Sequence, residues 1–180
     1  MKISTKTGDK AQTSLMFGRR VSKACQRVKA YGAVDSLSAQ IAMARAFAGE
    51  SALGGELLNI QKKLVLLMTE LATDNADYPK LSQKNVPLLQ QPDLEELEKK
   101  IDEMESAGDT FTGWKHAGDT PLDAALNLAR TACREAERQI AELSQTQPLP
   151  RELIPAYINR LSDLLYLYSI SADKTAGYQE

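Results

Sequence analysis

The sequence has a single histidine, His116, and two cysteines, Cys25 and Cys133, that lie far apart in the chain. One histidine excludes a histidine-rich metal site and the HExxH pattern of zinc peptidases. The distant cysteines exclude a CxxC metal or redox motif, so we expect both to be structural thiols. The chain also lacks a Walker A loop and a GxGxxG loop, so a nucleotide would have to be bound in another way.

Neither an excess of basic charge nor a long apolar run is present. The 180 residues include 22 basic and 24 acidic side chains, a net charge of −2. A dedicated nucleic-acid-binding domain usually needs a basic excess, so we exclude that class. No apolar run approaches the roughly 20 residues that span a bilayer, and no signal-peptide core is present. We therefore expect one cytoplasmic domain, residues 1–180, with neither nucleic acid nor membrane as a partner.

Apolar residues recur at steps of three and four along most of the chain, which is the periodicity of amphipathic helices. Thr120, Pro121 and Asp123 form a strong helix start, and Asp93 followed by Glu96 resembles a capping box. No stretch has the period-two alternation of a β-strand. The sequence therefore predicts an all-α fold, a bundle of about five helices near residues 22–47, 57–71, 93–107, 120–143 and 152–172.

Residues 1–18 lack helical periodicity and are rich in threonine, serine, lysine and glycine. A frayed terminus is the ordinary interpretation of such a segment. Hydroxyls, lysines and a Thr-Gly-Asp turn are also the groups that wrap a phosphate. We expect an irregular, flexible N-terminal segment over residues 1–18, followed by a helical bundle over residues 19–180.

Three arginines and a glutamate share one face of the helix predicted at residues 120–143. At about 100° per residue, they fall within a sector of about 100°. The four residues are Arg130, Arg134, Glu137 and Arg138. This face is either a solvated surface with an i,i+3 ion pair or a cradle for an anion, because guanidinium groups match phosphate oxygens.

Two further patterns also leave alternatives open. Asn159 and Asp163 are four residues apart on the last predicted helix, where asparagine is locally unfavourable and needs a structural or a functional reason. The loop at residues 109–119 contains Phe111 and Trp114, which either anchor the loop to the bundle or form the wall of an apolar site.

Several blocks, in this order, resemble the motifs of PduO-type ATP:cob(I)alamin adenosyltransferases. The N-terminal blocks read Thr-Lys-Thr-Gly-Asp, Thr-Ser-Leu, Phe-Gly and Arg-Val-Ser-Lys, and Ala-Tyr-Gly-Ala-Val-Asp follows at residues 30–35. Arginines 130, 134 and 138 belong to a block like the arginine helix of that family, and residues 157–163 read Tyr-Ile-Asn-Arg-Leu-Ser-Asp. The blocks span nearly the whole chain.

The chain departs from the pattern of this family at several positions. Ala11 replaces a glycine, Lys29 and Ser36 replace glutamates, and Glu135 replaces an arginine. The loop at residues 111–118 is about three residues longer than in the family pattern.

The resemblance implies a five-helix bundle that assembles as a homotrimer with active sites between subunits. It implies transfer of the 5′-deoxyadenosyl group of ATP to the cobalt of cob(I)alamin, with release of triphosphate. Mg²⁺ would be bound through the ATP phosphates, with no protein ligand assigned. A flavoprotein reductase and a B12-dependent enzyme would be the protein partners.

The resemblance also implies roles for individual residues. Arg134, Arg130 and Asp35 would be catalytic, the last two as a salt bridge across the subunit interface. Asp163 would hold the arginine cluster, and Phe111 and Trp114 would lie at the lower face of the corrin. The residues expected to bind ATP are Thr5, Lys6, Thr7, Gly8, Asp9, Thr13, Ser14, Lys23, Arg134, Glu137, Arg138 and Asn159.

Two other functions fit parts of the sequence. The departures at Ala11, Ser36 and Glu135 and the altered loop would suit a non-catalytic sensor of ATP or corrinoid on the same bundle. The helical stripes alone would suit a structural interaction module, which leaves the ordered motifs unexplained.

Overall fold

The computed structural model describes residue 6, residues 8–108 and residues 116–175, and side chains as far as residue 172. Within these ranges the chain is mostly helical, which confirms the predicted all-α class. The helices are α1 (Gln26–Ala48), α2 (Ala52–Leu71), α3 (Pro79–Gln83), α4 (Gln91–Ser106), α5 (Pro121–Thr146) and α6 (Leu153–Thr175). Two short strands, β1 (Gln12–Ser14) and β2 (Arg20–Ser22), precede them. No helix within the described ranges is long and apolar enough to cross a membrane.

The predicted start of α5 is confirmed. Pro121 is the first helical residue, and the Thr120 hydroxyl accepts a hydrogen bond of 3.0 Å from the backbone N–H of Asp123. The cap satisfies one of the backbone N–H groups that have no partner in the first turn.

The predicted capping box at the start of α4 is wrong in register. Gln90 is the N-cap, and the Asp93 carboxylate accepts the Gln90 backbone N–H at 2.7 Å. Asp93 is therefore the N3 residue of the capping box and not its N-cap. Helix α4 can begin before Pro92 because proline in the first turn removes no intrahelical hydrogen bond.

The long helices pack α1 against α2 and α5, and α6 against α4 and α5. The predicted apolar stripes face inward, and one continuous core joins α1, α2, α4, α5 and α6. Fully buried members include Leu37, Leu64, Leu126, Ile140 and Leu165. The polar face of α5 is thereby left at the surface, beside α1 and α6.

Sequence periodicity did not reveal the N-terminal hairpin. Strands β1 and β2 are antiparallel, with Thr13 opposite Val21 and Ser14 opposite Arg20. Strands of three residues are too short to give a period-two signal. Part of the segment predicted to be irregular is therefore a hairpin, and the Met16 N–H donates to the Ala72 carbonyl at the end of α2 at 2.9 Å.

Ion pairs also attach this hairpin to the connector between α2 and α4. The Arg19 Nε atom lies 2.7 Å from an Asp77 oxygen, and Lys80 Nζ lies 2.7 Å from the other. Glu70, buried at the end of α2, accepts the Tyr78 hydroxyl at 2.6 Å. Two buried carboxylates thus hold the connector in place: Asp77, within the connector, and Glu70, at the end of α2.

Candidate functional site

The polar face of α5 is the centre of the candidate site. Arg134 and Arg138 are exposed on this face, and Glu137 is half-buried beside them. Cys133 and Ala136 point into the core from the same helix. The sequence prediction of a polar face opposite an apolar one is confirmed for these residues.

Asn159 connects this face to α6. Its side-chain N–H donates to a Glu137 carboxylate oxygen at 2.9 Å, and its own oxygen accepts an N–H from Arg160 at 2.9 Å. Arg160 also donates to Glu98 on α4 at 3.3 Å. The cross-helix bond to a carboxylate supplies the reason for an asparagine inside α6.

Glu135 forms an ion pair with Arg138 on the same helix. The Arg138 Nε and Nη2 atoms lie 3.1 and 2.5 Å from one Glu135 oxygen, and the other oxygen accepts the Gln139 amide at 2.9 Å. Gln139 in turn accepts a hydrogen bond from Gln26 at the start of α1 at 3.0 Å. The hydrogen bond from Gln139, and then that from Arg138, lower the pKa of Glu135.

Arg134 has neither a hydrogen bond nor an ion pair with any residue of the described ranges, although the spacing allows a pair with Glu137. Its exposed guanidinium is therefore available to an anion. Asp163 is also exposed, and within the described ranges it forms no ion pair with an arginine. The role of Asp163 in holding the arginine cluster stays a prediction.

Cys133 lies behind this polar face and is a structural thiol, as expected. Its Sγ donates to the Ile158 carbonyl of α6 at 3.3 Å, and burial raises its pKa far above the ordinary range. A thiol held protonated in this way is a poor nucleophile.

Arg130 and Asp35 occupy neighbouring helices without forming an ion pair within the described chain. Arg130 donates to the Asn127 side chain at 3.3 Å, and its guanidinium lies 5.8 Å from the centre of the Tyr166 ring. Asp35 is exposed on α1. Their predicted salt bridge joins two subunits and stays a prediction.

The N-terminal residues Gly8 and Lys23 are brought together by the hairpin. A Cβ atom on Gly8 would lie 3.0 Å from Lys23 Nζ, so the lysine ammonium lies directly against the backbone of this turn. The Lys23 N–H donates to the Ala11 carbonyl at 2.9 Å, which folds the turn containing Asp9 toward the lysine. Backbone N–H groups and an ammonium at one turn form a suitable site for a phosphate.

The hairpin positions the predicted hydroxyls as well. Ser14 is exposed and accepts a 3.2 Å hydrogen bond from Arg20, which was not among the predicted site residues. Thr13 is half-buried and Lys6 is exposed. The signal for Arg20 is its place in the Arg-Val-Ser-Lys block, where a strand puts it on the same side as Ser22.

Ala11 has a left-handed backbone conformation, with φ of 54°. A side chain at such a position is strained, and glycine is the residue that adopts it freely. The predicted site residues Thr5, Thr7, Phe111 and Trp114 lie outside the described residues.

Comparison with known proteins matches nearly the whole chain to one family. The sequence profile of the family described as "Cobalamin adenosyltransferase" matches residues 3–172. The corrinoid adenosyltransferase PduO of Salmonella typhimurium is 35% identical over 98% of this chain, which spans 51% of that relative. A corrinoid adenosyltransferase of Citrobacter freundii is also 35% identical, over 92% of this chain and 91% of its own length.

A solved structure with the same fold comes from Lactobacillus reuteri. It is a variant PduO-type ATP:corrinoid adenosyltransferase complexed with cobalamin and ATP. The two chains superpose with a TM-score of 0.86 and 31% identity, covering 99% of this chain and 100% of that one.

Proposed function

The chain belongs to the cobalamin adenosyltransferase family, and from that premise we propose that it transfers the 5′-deoxyadenosyl group of ATP to the cobalt of cob(I)alamin. The products are adenosylcobalamin and triphosphate. The observation that carries this proposal is the likeness, over nearly the whole chain, to a relative whose structure contains both cobalamin and ATP. Because the chain spans about half the length of the Salmonella relative, the proposal concerns these 180 residues and not the rest of that relative.

The residues on the hairpin and on α5 supply what a triphosphate needs. Lys23 beside Gly8 forms one positive site, and the exposed guanidinium of Arg134 forms a second. An arginine fork and an ammonium bind phosphate oxygens in the ground state, and these interactions strengthen as the leaving group takes on charge. Asn159 and Glu137, already bonded to each other, would orient the nucleotide between α5 and α6.

Mg²⁺ enters this proposal with the ATP phosphates. The Asp9 carboxylate and the Thr13 and Ser14 hydroxyls carry hard oxygen atoms, the donor class that a phosphate-bound Mg²⁺ prefers. When bound there, the cation would neutralise part of the phosphate charge.

The reaction needs no nucleophile from the protein. Cob(I)alamin supplies an electron pair that forms the cobalt–C5′ bond, while the C5′–O5′ bond breaks and its electrons leave with triphosphate. Cobalt is formally oxidised from the +1 to the +3 state, so the electrons balance without another reactant. The protein contributes alignment of C5′ with cobalt and stabilisation of the leaving group, which agrees with a chain that has one histidine.

The corrin-facing part of the proposal involves Phe111 and Trp114. Their rings would lie against the lower face of the corrin and keep water and the lower base away from cobalt. Asp163 would hold the arginine cluster from α6, where it is exposed on the same helix as Asn159.

We also propose that the chain is a single domain, a five-helix bundle with its ATP-binding segment at residues 1–18, that works in the cytoplasm as a homotrimer. Asp35 of one subunit and Arg130 of the next would form a salt bridge beside the active site. Asp35 is exposed on α1 and Arg130 is partly exposed on α5, so both side chains are accessible to a second subunit. A flavoprotein reductase and a B12-dependent enzyme would supply and use the corrinoid.

A sensor that binds ATP and corrinoid without transfer is the second candidate function. The ion pair between Glu135 and Arg138 favours the sensor, because the Glu135 carboxylate pairs with an arginine that could otherwise bind phosphate. The strained left-handed backbone of Ala11, in the N-terminal turn, also favours the sensor.

The test is an anaerobic transfer assay with chemically reduced cobalamin, ATP and Mg²⁺, followed by the absorbance of adenosylcobalamin. We expect product with the wild-type chain and a loss of at least tenfold in kcat/KM for Lys23→Ala and Arg134→Ala. Lys62→Ala, which removes an exposed lysine of α2, is the matched control and should retain wild-type activity. Absence of product with enzyme in excess, while both ligands bind, would establish the sensor instead.

A further inference from the structure

The carbonyl groups at the end of α2 bind both the turn of the N-terminal hairpin and the start of α1. The Met16 N–H, in the turn, donates to the Ala72 carbonyl at 2.9 Å. Arg27, in the first turn of α1 and only 3% exposed, donates from one guanidinium nitrogen to the Leu71 and Thr73 carbonyls, at 3.0 and 2.7 Å. A helix C-terminus leaves its carbonyls without intrahelical partners, so these donors fit there. The end of α2 thus holds the chain both before and after β2.

The turn between β1 and β2 contains a strained residue that the connector between α2 and α4 holds in place. Phe17 has a left-handed backbone, with φ of 62°, which a residue other than glycine keeps only where its surroundings fix it. Lys80 Nζ lies 5.8 Å and Lys84 Nζ 5.5 Å from the centre of the Phe17 ring, within the range of a cation–π interaction. Both lysines belong to the connector, so the connector contacts the strained turn directly.

Arg19 links the same turn to a buried carboxylate of the connector. Its Nε atom lies 2.7 Å from an oxygen of Asp77, which is only 6% exposed, and 3.8 Å from an oxygen of Asp74. The Arg19 carbonyl accepts the Leu15 N–H at 2.8 Å, which closes the turn. Arg19 is the residue before β2, and Lys23 is the residue after it. A shift of Arg19 would therefore move β2 and the Lys23 ammonium with it.

We propose that Asp77 is a positioning residue for ATP binding, a role that rests on the proposed function: by pairing with Arg19, it fixes the hairpin so that Lys23 and Ser14 face the triphosphate. Asp77 touches no substrate in this role, because its two carboxylate oxygens are already bound to Arg19 and Lys80. Two cations also neutralise the repulsion that a free carboxylate would exert on a triphosphate. The connector thereby contributes to the affinity for ATP and not to the chemical step.

The test measures ATP affinity by calorimetry with Mg²⁺ present, at a temperature well below the Tm of every variant. We expect Asp77→Asn and Arg19→Gln each to raise the Kd for ATP about fivefold, because the ligand must then order a hairpin that is no longer held. Arg19→Lys, which keeps the positive charge, should stay within about twofold of wild type. The double variant should exceed Asp77→Asn by less than about twofold, since the two residues act through one contact.

The matched control removes an ion pair of the same length at the opposite end of α2. Lys100 Nζ lies 2.7 Å from a Glu56 oxygen, and Lys100→Gln breaks this pair. The control should leave the Kd for ATP unchanged whatever it does to Tm, because neither residue contacts the hairpin or the connector.

Two further measurements separate positioning from stability. Asp77→Asn should raise the KM for ATP about fivefold, while kcat at saturating ATP and the KM for cob(I)alamin stay within about twofold. Lost stability alone would instead reduce the amount of active enzyme and lower the apparent kcat. Hydrogen exchange of the Met16 and Lys23 N–H groups, which are bonded to the Ala72 and Ala11 carbonyls, should become faster in the same variant.

Three results would overturn this role for Asp77. Tighter ATP binding by Asp77→Asn would show that Arg19 is itself a phosphate ligand that Asp77 restrains. Wild-type Kd in both Asp77→Asn and Arg19→Gln, with a lower Tm alone, would show that the pair is only structural. Either of these results leaves the proposed function standing, whereas a wild-type chain that binds no ATP would overturn the proposed function as well.

Discussion

Replacing Asn159 by aspartate tests the link between α5 and α6 most sharply. The side-chain N–H of Asn159 lies 2.9 Å from a Glu137 oxygen, and Asn159→Asp places a second carboxylate there. At that separation two unit charges repel by about 1.4 kcal/mol even with the dielectric constant of water. Loss of the hydrogen bond adds about 1 kcal/mol, so Asn159→Asp should lower the free energy of unfolding by about 2 kcal/mol at pH 7.

The comparison variant separates repulsion from the lost hydrogen bond. Asn159→Ala loses only the bond and should cost about 1 kcal/mol. Glu142→Gln, a change at an exposed carboxylate of α5 without an ion pair in the described ranges, is the control and should stay within about 0.5 kcal/mol of wild type.

Urea unfolding followed by circular dichroism measures these differences, at one fixed protein concentration because oligomer stability depends on it. Equal stability of Asn159→Asp and Asn159→Ala at pH 7 would refute the reasoning. The aspartate should also weaken ATP binding at least tenfold by calorimetry, since it adds negative charge beside the proposed triphosphate site.

Three further predictions concern the N-terminal hairpin and the α5 ion pair. Glu135→Gln should release Arg138 and tighten ATP binding about threefold to tenfold by calorimetry, and weaker binding would contradict this role. Ala11→Gly should raise the free energy of unfolding by about 0.5 kcal/mol in urea, because glycine adopts the left-handed backbone without strain; a decrease would refute the strain. The hydrogen bond from Arg19, and then the one from Lys80, lower the pKa of Asp77 to about 2. Its stabilisation should therefore be complete above about pH 4 and be lost as the pH falls toward 2, and Asp77→Asn should remove this part of the pH dependence of urea unfolding; an unchanged profile would contradict it.

The long helices could be predicted from the sequence because each has a local signal. The Thr120, Pro121 and Asp123 start and the apolar stripes of α5 and α6 are repeated over several turns. The hairpin could not be predicted in this way, since its strands have three residues each and are fixed by contacts with the end of α2, far along the chain.

The candidate site was likewise predictable only where the sequence carries a local signal. Helical spacing brought Arg134, Glu137 and Arg138 to one face, and the resemblance added Asn159, which the structure bonds to Glu137. The partner of Arg138 could not be chosen from spacing, because several acids lie within reach on one helix. Arg19 and Asp77 are 58 residues apart in the chain, so no local pattern predicts their pair.

The most direct measurement of the proposed reaction is a single turnover with ATP labelled with ¹³C at C5′ and reduced cobalamin under anaerobic conditions. The proposed reaction predicts that the label appears in adenosylcobalamin as a carbon bonded to cobalt, with one intact triphosphate released for each corrinoid converted. Recovery of unchanged labelled ATP beside bound, reduced corrinoid would contradict adenosyl transfer by this chain.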